Sequence, residues 1–252
     1  MPRTVAIHQP DFLPWLGFFV KIAKAQVFVV LDHVENNPRD AFLCKRVSFQ
    51  LPSSVGYLSV VLERPSEGRF AIPLTEMTLS AEMDKTFAKL TRTVELTYRR
   101  APFFADVFPL VADYFASKER RLVQRNMAFI DAILDRLAIR PERVYSSTLD
   151  TKERAGELIA ELCARVGGDV YVSGEGGRNY QSPESFSTRG IRIAYNHFVP
   201  REYARFQGPW VPGLSAIDAL MNLGFDGTAA FVAEDVRISE EKARAEGESV
   251  VP

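Results

Sequence analysis

Alternating β and α segments run through this 252-residue chain and predict an α/β fold: a mainly parallel sheet with flanking helices and some extra strands inserted. Three observations carry that prediction. Val5-Ala6-Ile7 and Val27-Phe28-Val29-Val30-Leu31 are short apolar runs, the second rich in β-branched residues, as expected of strands buried on both faces. Between them Phe18, Ile22 and Ala25 recur at helical spacing, with Lys21 and Lys24 directed elsewhere. Asp169-Val170-Tyr171-Val172 then repeats the strand pattern after a helix striped with Leu158, Ile159 and Leu162 and stopped at Gly167-Gly168.

The elements follow in order. Pro10 and Pro14 end the first strand and permit only the start of a helix. Gly56 to Leu62 reads as a strand, and Arg69 to Thr78 as another that Pro73 confines to an edge. Ser80 is placed to cap a helix through Phe87, Leu90 and Val94. Phe103–Phe115 and Arg120–Leu137 are two more helices, the second carrying Ile130, Ile133, Leu134 and Leu137 on one face. Arg143 to Ser147 is a strand, Asp150 can cap the next helix, and Ile191 to Tyr195 is the last strand. Ser215 and Asp218 fit a capping box on a helix that Gly224 stops. The domain is expected to cover 1–233, followed by a charged tail over 234–252 that reads as a surface helix or a frayed end.

Composition narrows the function classes. A formal net charge of −1 argues against general nucleic-acid binding. Cys44 and Cys163 have no metal-ligand spacing and suit a reducing compartment. No apolar run approaches the roughly 20 residues that span a bilayer, and no leader is visible, so a cytoplasmic protein without membrane insertion is expected.

A strand, a helix and a second strand in such close succession make a right-handed βαβ unit. His8-Gln9 and Asp32-His33 therefore leave the sheet at the same edge, the carboxyl edge, where open α/β sheets bind ligands. Two of the three histidines stand there. His8 is the candidate general base, since an imidazole suits proton transfer near neutrality. Asp32 is the second candidate catalytic residue, orienting His8 or accepting from a substrate hydroxyl or amine. Two imidazoles and a carboxylate also suit zinc or iron. Adjacent strand residues point to opposite faces, however, and no metal is assigned.

Substrate contacts are expected from Gln9 and His33 at that edge. Ser173, Gly174, Gly177, Arg178 and Tyr180 belong to a glycine-rich loop after a strand, whose backbone N–H groups could cradle phosphate; a plain turn needing positive φ at Gly176 or Gly177 explains the same residues. Arg39 and Arg46, beside Lys45, form a basic cluster that could face a phosphate. Asn126 is an amide on a buried helical stripe and must find partners, backbone or ligand. Ser146-Ser147 is read as a helix cap, and His197 as packing. The expected partner is a small, phosphate-bearing molecule, with cofactor and oligomeric state left unassigned.

The motifs so far resemble those of the WbqC-like family. They are Ile7-His8-Gln9-Pro10 with Leu13-Pro14-Trp15-Leu16-Gly17-Phe18-Phe19, then Lys21-Ile22-Ala23, and later Ala101-Pro102-Phe103-Phe104 and Tyr171-Val172-Ser173-Gly174 with Gly177-Arg178-Asn179-Tyr180. Val211-Pro212-Gly213-Leu214-Ser215-Ala216-Ile217-Asp218 completes the resemblance, which extends to about Gly224. The pattern departs at His33, Glu35 and the run Ala41 to Cys44. The resemblance implies a role with activated sugars in cell-surface polysaccharide biosynthesis, as in O-antigen and capsule clusters. A transferase acting on a nucleotide-linked sugar is the leading expectation. The opening βαβ unit is also similar in outline to Rossmann-like and nucleotidyltransferase-like folds, making ATP-dependent nucleotidyl transfer the second. A non-catalytic binding protein with an exposed patch at Phe103, Phe104 and Phe108 is the third.

Overall fold

The structure is a computed structural model and describes residues 2–36, 42–64, 69–179 and 181–248. The chain opens with β1 (Thr4–His8), α1 (Leu16–Ala23) and β2 (Val27–Val30). A long excursion follows: β3 (Glu35–Asn36), α2 (Phe42–Lys45), β4 (Arg46–Gln50), β5 (Val55–Ser59) and β6 (Ile72–Pro73). It continues through three helices, α3 (Met83–Tyr98), α4 (Phe104–Ala116) and α5 (Leu122–Arg136). The last part contains β7 (Glu142–Tyr145), α6 (Ala155–Arg165), β8 (Val170–Gly174), α7 (Pro183–Ser187), β9 (Arg192–Asn196) and α8 (Ala216–Ala245).

Five strands form one sheet in the order β7-β2-β1-β8-β9, with every pairing parallel. On one face Ala6, Phe28, Val30 and Val172 pack with Phe18, Phe19, Ile130 and Leu220 from α1, α5 and α8. On the other, Val5, Ile7, Val29 and Tyr171 pack with Leu158 and Leu162 of α6 and Phe186 of α7. Burial on both faces explains why these strands are continuous apolar runs instead of alternating ones. The chain steps outward from β1 through α1 to β2 and on to β7. The next helix, α6, lies on the opposite face and returns the chain across β1 to β8 and β9. The β1–β8 boundary is therefore a topological switch point, where the flanking connections diverge and leave a crevice.

The inserted segment forms two small antiparallel pairs, β4–β5 and β3–β6. The strand expected over Arg69 to Thr78 shrinks to the two residues of β6, because Pro73 has no N–H to extend a ladder and the chain turns at Leu74–Glu76. Two expected caps are altered. Ser80 Oγ accepts from Glu82 N at 3.5 Å in the turn just before α3, whose own N-cap position has no side-chain cap, and α6 begins only at Ala155. Before α6, the N–H groups of Lys152 and Glu153 donate to the Glu161 carboxylate at 3.0 and 2.9 Å, so Asp150 is not its cap.

The last helix also differs. Gly224 takes φ 71° and kinks α8 without ending it, and a Cβ there would stand 2.7 Å from the Phe103 ring. The helix resumes to Ala245 with Asp235, Ser239 and Ala243 buried, so much of the charged segment is packed helix. Phe104 and Phe108 stack at 4.6 Å against the core, while Phe103 lies over Gly224. No helix among the described residues is long and apolar enough to cross a membrane.

Candidate active site

A cavity of about 630 Å³ opens at the carboxyl edge, at the β1–β8 switch point. Its walls come from the end of β1 and the turn after it (His8, Gln9, Asp11), from α1 (Gly17, Phe18, Lys21), from Gly174 to Gly177 at the end of β8 and beyond, and from Asn196 and Phe198 at the end of β9 and beyond. Trp15 and Tyr171 add aromatic surface, and Leu43, half exposed, stands at the rim.

His8 is half-buried, edge-on to Phe18 at 5.0 Å between ring centroids. Its Nδ1 lies 2.9 Å from the Gln9 carbonyl oxygen. A carbonyl can only accept, so Nδ1 carries the hydrogen and Nε2 keeps its lone pair. Burial, and secondarily the charge of Lys21, push the imidazole down to about 3. His8 is thus neutral across the physiological range, with one basic nitrogen left for a ligand.

Two further ionisable groups stand beside it. Asp11 is 3 % exposed, lies 3.7 Å from His8 Nδ1 through Oδ1, and that oxygen has no hydrogen-bond partner among the described residues. Burial pushes its carboxyl up to about 7, with Lys21 opposing. Lys21, 7 % exposed, donates to the Ile7 carbonyl at 2.7 Å, and burial pulls its ammonium down to about 8. Lys21 and Lys24 therefore do not point to solvent. α1 is covered by the sheet on one side and by α8 on the other, and Lys24 donates to Ser239 of α8 at 2.9 Å.

The structure scatters the other expected site residues. Asp32 does not orient His8. Its carboxylate accepts from Ser146 Oγ, Ser147 N and Ser147 Oγ at 2.9, 2.8 and 2.7 Å, which ties the end of β2 to the end of β7. Ser146 and Ser147 accordingly hold Asp32 instead of capping a helix. His33 joins the same knot through Ser146 Oγ, 2.6 Å from its Nδ1, and lines a separate surface groove with Thr151 and Lys152. Arg46 lies over the Tyr57 ring at 3.7 Å, away from the cavity lining. Arg178 donates to Glu175 and Glu248 at 2.9 and 2.6 Å, so its charge is already compensated. Arg39 and Tyr180 lie outside the described residues. His8, Gln9, Gly174 and Gly177 are the expected residues that share the cavity.

Asn126 and Ser173 shape the walls from behind. Asn126 accepts from Tyr114 Oη at 2.8 Å and donates to the carbonyls of Pro10 and Cys44 at 2.9 and 2.8 Å, fixing the turn that carries His8 and Asp11. Ser173 Oγ donates to Gln181 Oε1 at 2.8 Å beneath the glycine turn. Neither Gly176 nor Gly177 needs positive φ. Gly177 is required by close approach, because a Cβ would overlap Ser173 Oγ and meet Gln181 Oε1 at 2.6 Å.

His197 is buried, as expected of a packing residue, behind the cavity and outside its lining, and it is also hydrogen-bonded there. Its Nδ1 stands 2.7 Å from Glu175 and its Nε2 2.8 Å from Glu248, with Glu246 at 3.7 Å from Nδ1. His197, Glu246 and Glu248 could offer three ligand atoms to a cation, but the two carboxylates face different ring nitrogens. At the other end of the cavity, Trp15 bridges Ser215 in an antiparallel pair, Ala216 N donates to the Pro14 carbonyl at 2.8 Å and Ser215 N to that of Ser48 at 2.9 Å. Ser215 does cap α8, accepting from Ile217 N at 3.3 Å. Asp218 completes no capping box; it accepts from Tyr98, Tyr203 and Arg205 at 2.7, 2.6 and 2.9 Å in a buried network.

Comparison with known proteins matches a stretch of chain that contains both of these contacting segments. The model of the WbqC-like protein family covers residues 9–230. The chain belongs to that family. A relative, the uncharacterised protein Rv1507c of Mycobacterium tuberculosis, is 28% identical over 224 residues, covering 88% of this chain and 94% of its own. No solved structure shows a significant match. Asp11 and Lys21 were not singled out from sequence. The available signal was a lone acid and a lone base inside the apolar run from Pro10 to Ile22.

Proposed function

We propose that this WbqC-like protein is a transferase that places a group on a hydroxyl or amine of a nucleotide-linked sugar, with His8 as the base. The supporting observation is a neutral imidazole in the switch-point cavity, its Nδ1–H tied to Gln9 and its Nε2 open. As the acceptor oxygen or nitrogen bonds to the incoming group, its proton passes to Nε2 and the donor's leaving group departs with the bonding electrons. A base held so low is weak in the empty cavity. Burial is the larger cause and the Lys21 charge the smaller, so a ligand group that accepts from Lys21 offsets only the smaller part. The backbone of Gly174 to Gly177 offers an open wall for a phosphate; a Cβ at Gly174 or Gly176 would meet nothing within 4 Å. Cytoplasmic biosynthesis of cell-surface polysaccharide is the setting the family resemblance implies.

Incubating the protein with nucleoside diphosphate hexoses and a metabolite extract tests this. Mass spectrometry of the sugar nucleotide is expected to show a mass gain with wild type and about 10²–10⁴-fold less with His8→Ala or His8→Gln, both retaining wild-type circular dichroism. Equal turnover by the variants removes His8 as base. The switch-point position supports a second reading, ATP-dependent nucleotidyl transfer, since mononucleotides bind at such crevices. Thermal stabilisation by ATP together with pyrophosphate release would select it.

A further inference from the structure

Asp11 is the unexplained group in the cavity. A buried carboxylate oxygen without a hydrogen bond is costly and calls for an explanation. Asp11 Oδ1 is such an atom, on a side chain that lines the cavity. Lys21, also lining the cavity and buried, spends one hydrogen on the Ile7 carbonyl, and an ammonium has three. The two charges influence each other, yet among the described residues no hydrogen bond or ion pair joins them. A carboxylate with an unpartnered oxygen and an ammonium with hydrogens to spare thus both line the cavity, as do the aromatic side chains of Trp15 and Phe18.

We propose that Asp11 and Lys21 form a subsite for a ring hydroxyl of the sugar, Asp11 accepting the hydroxyl hydrogen and Lys21 donating to its oxygen. This rests on the nucleotide-linked sugar reading and deepens it by assigning the two ends of the ligand. The sugar lies at Asp11, Lys21 and Trp15, and the diphosphate at Gly174 to Gly177. A hydroxyl fits because it donates and accepts at once. A phosphate would be repelled by Asp11, and an ammonium by Lys21.

The position of the side chains supports this division of the cavity. Gly17, one turn before Lys21, has no room for a Cβ, which would stand 2.6 Å from the Trp15 indole and 2.8 Å from Phe198. The missing side chain lets the indole pack close against α1 at the cavity. Flat apolar surface beside a carboxylate and an amine suits a ring whose faces carry C–H groups and whose rim carries hydroxyls.

Titration calorimetry with uridine and deoxythymidine diphosphates, and with their hexose conjugates, tests the assignment. Wild type is expected to bind a sugar nucleotide about 10–100-fold more tightly than the bare diphosphate, the increment of hydrogen bonds to charged groups. Asp11→Asn, nearly isosteric and without a buried charge, is expected to lose most of that increment while keeping its affinity for the diphosphate. Lys21→Met should lose it as well, with folding checked by thermal melting. An unchanged increment in a folded Asp11→Asn protein overturns the subsite while leaving the transferase reading intact. If wild type binds neither diphosphate nor conjugate, the transferase reading fails and the subsite fails with it.

Discussion

Asp11 and His8 carry opposite electrostatic burdens, and the pH dependence of stability separates them. Asp11 titrates at about 7 in the fold against 3.8 ordinarily, so between those values the native state binds a proton that the unfolded chain does not. Its stabilising contribution is complete below about pH 4 and is lost as pH rises through 7. His8 titrates at about 3 against 6.5, so its contribution is present above 6.5 and lost as pH falls towards 3. The groups facing Asp11 are His8 on the β1 turn, Lys21 on α1 and Cys44 on α2. Asp11→Asn should therefore be more stable than wild type at pH 8, by ~1–4 kcal/mol, and lose that advantage by pH 4. Urea denaturation at both pH values checks it; a pH-independent difference would show that the carboxyl is not held high. His8 was legible as a rare residue at a strand end. Asp11 was not, because a lone Asp after Pro10 reads as an ordinary turn residue until burial is known.

Glycines and buried ion pairs decide the elements. Gly224→Ala puts a Cβ against Phe103 at a positive φ, and is expected to cost about 1–3 kcal/mol by crowding and backbone strain. Chemical denaturation should show a lower midpoint; an unchanged one would mean that α8 straightens there without loss. Asp218 sits at the start of the same helix, and its partner Arg205 has a side chain only 1 % exposed. Asp218→Ala leaves that guanidinium buried without its carboxylate, an expected loss of about 3–5 kcal/mol. Asp218→Asn, which keeps an acceptor, should lose less. The S-x-x-D pattern suggested a local cap because spacing carries no information on tyrosines and an arginine arriving from distant segments. Helix interiors were easier to read than their ends: α4 and α5 appear within a residue or two of their apolar stripes, whereas the start of α6 is set by the Glu161 carboxylate.

At the scale of the molecule, the parallel sheet was legible because strands buried on both faces must be apolar throughout, and few other segments of this chain are. The cavity could be anticipated only as an edge. The strand order, with β1 between β2 and β8, depends on which face each crossing helix covers, and no single segment encodes that. The architecture predicts a gradient of protection. Amides of Val5 and Ala6, paired on both sides, should exchange with solvent most slowly, and those of Glu175 to Arg178 much faster. Hydrogen exchange followed by mass spectrometry would show whether the glycine wall opens independently of the central strands; simultaneous exchange would mean that it does not.

The Trp15–Ser215 bridge has a consequence for synthesis. The turn bearing His8 leaves the ribosome well before the segment that braces it. Prematurely terminated products could assemble much of the early helical layer and still lack a competent cavity.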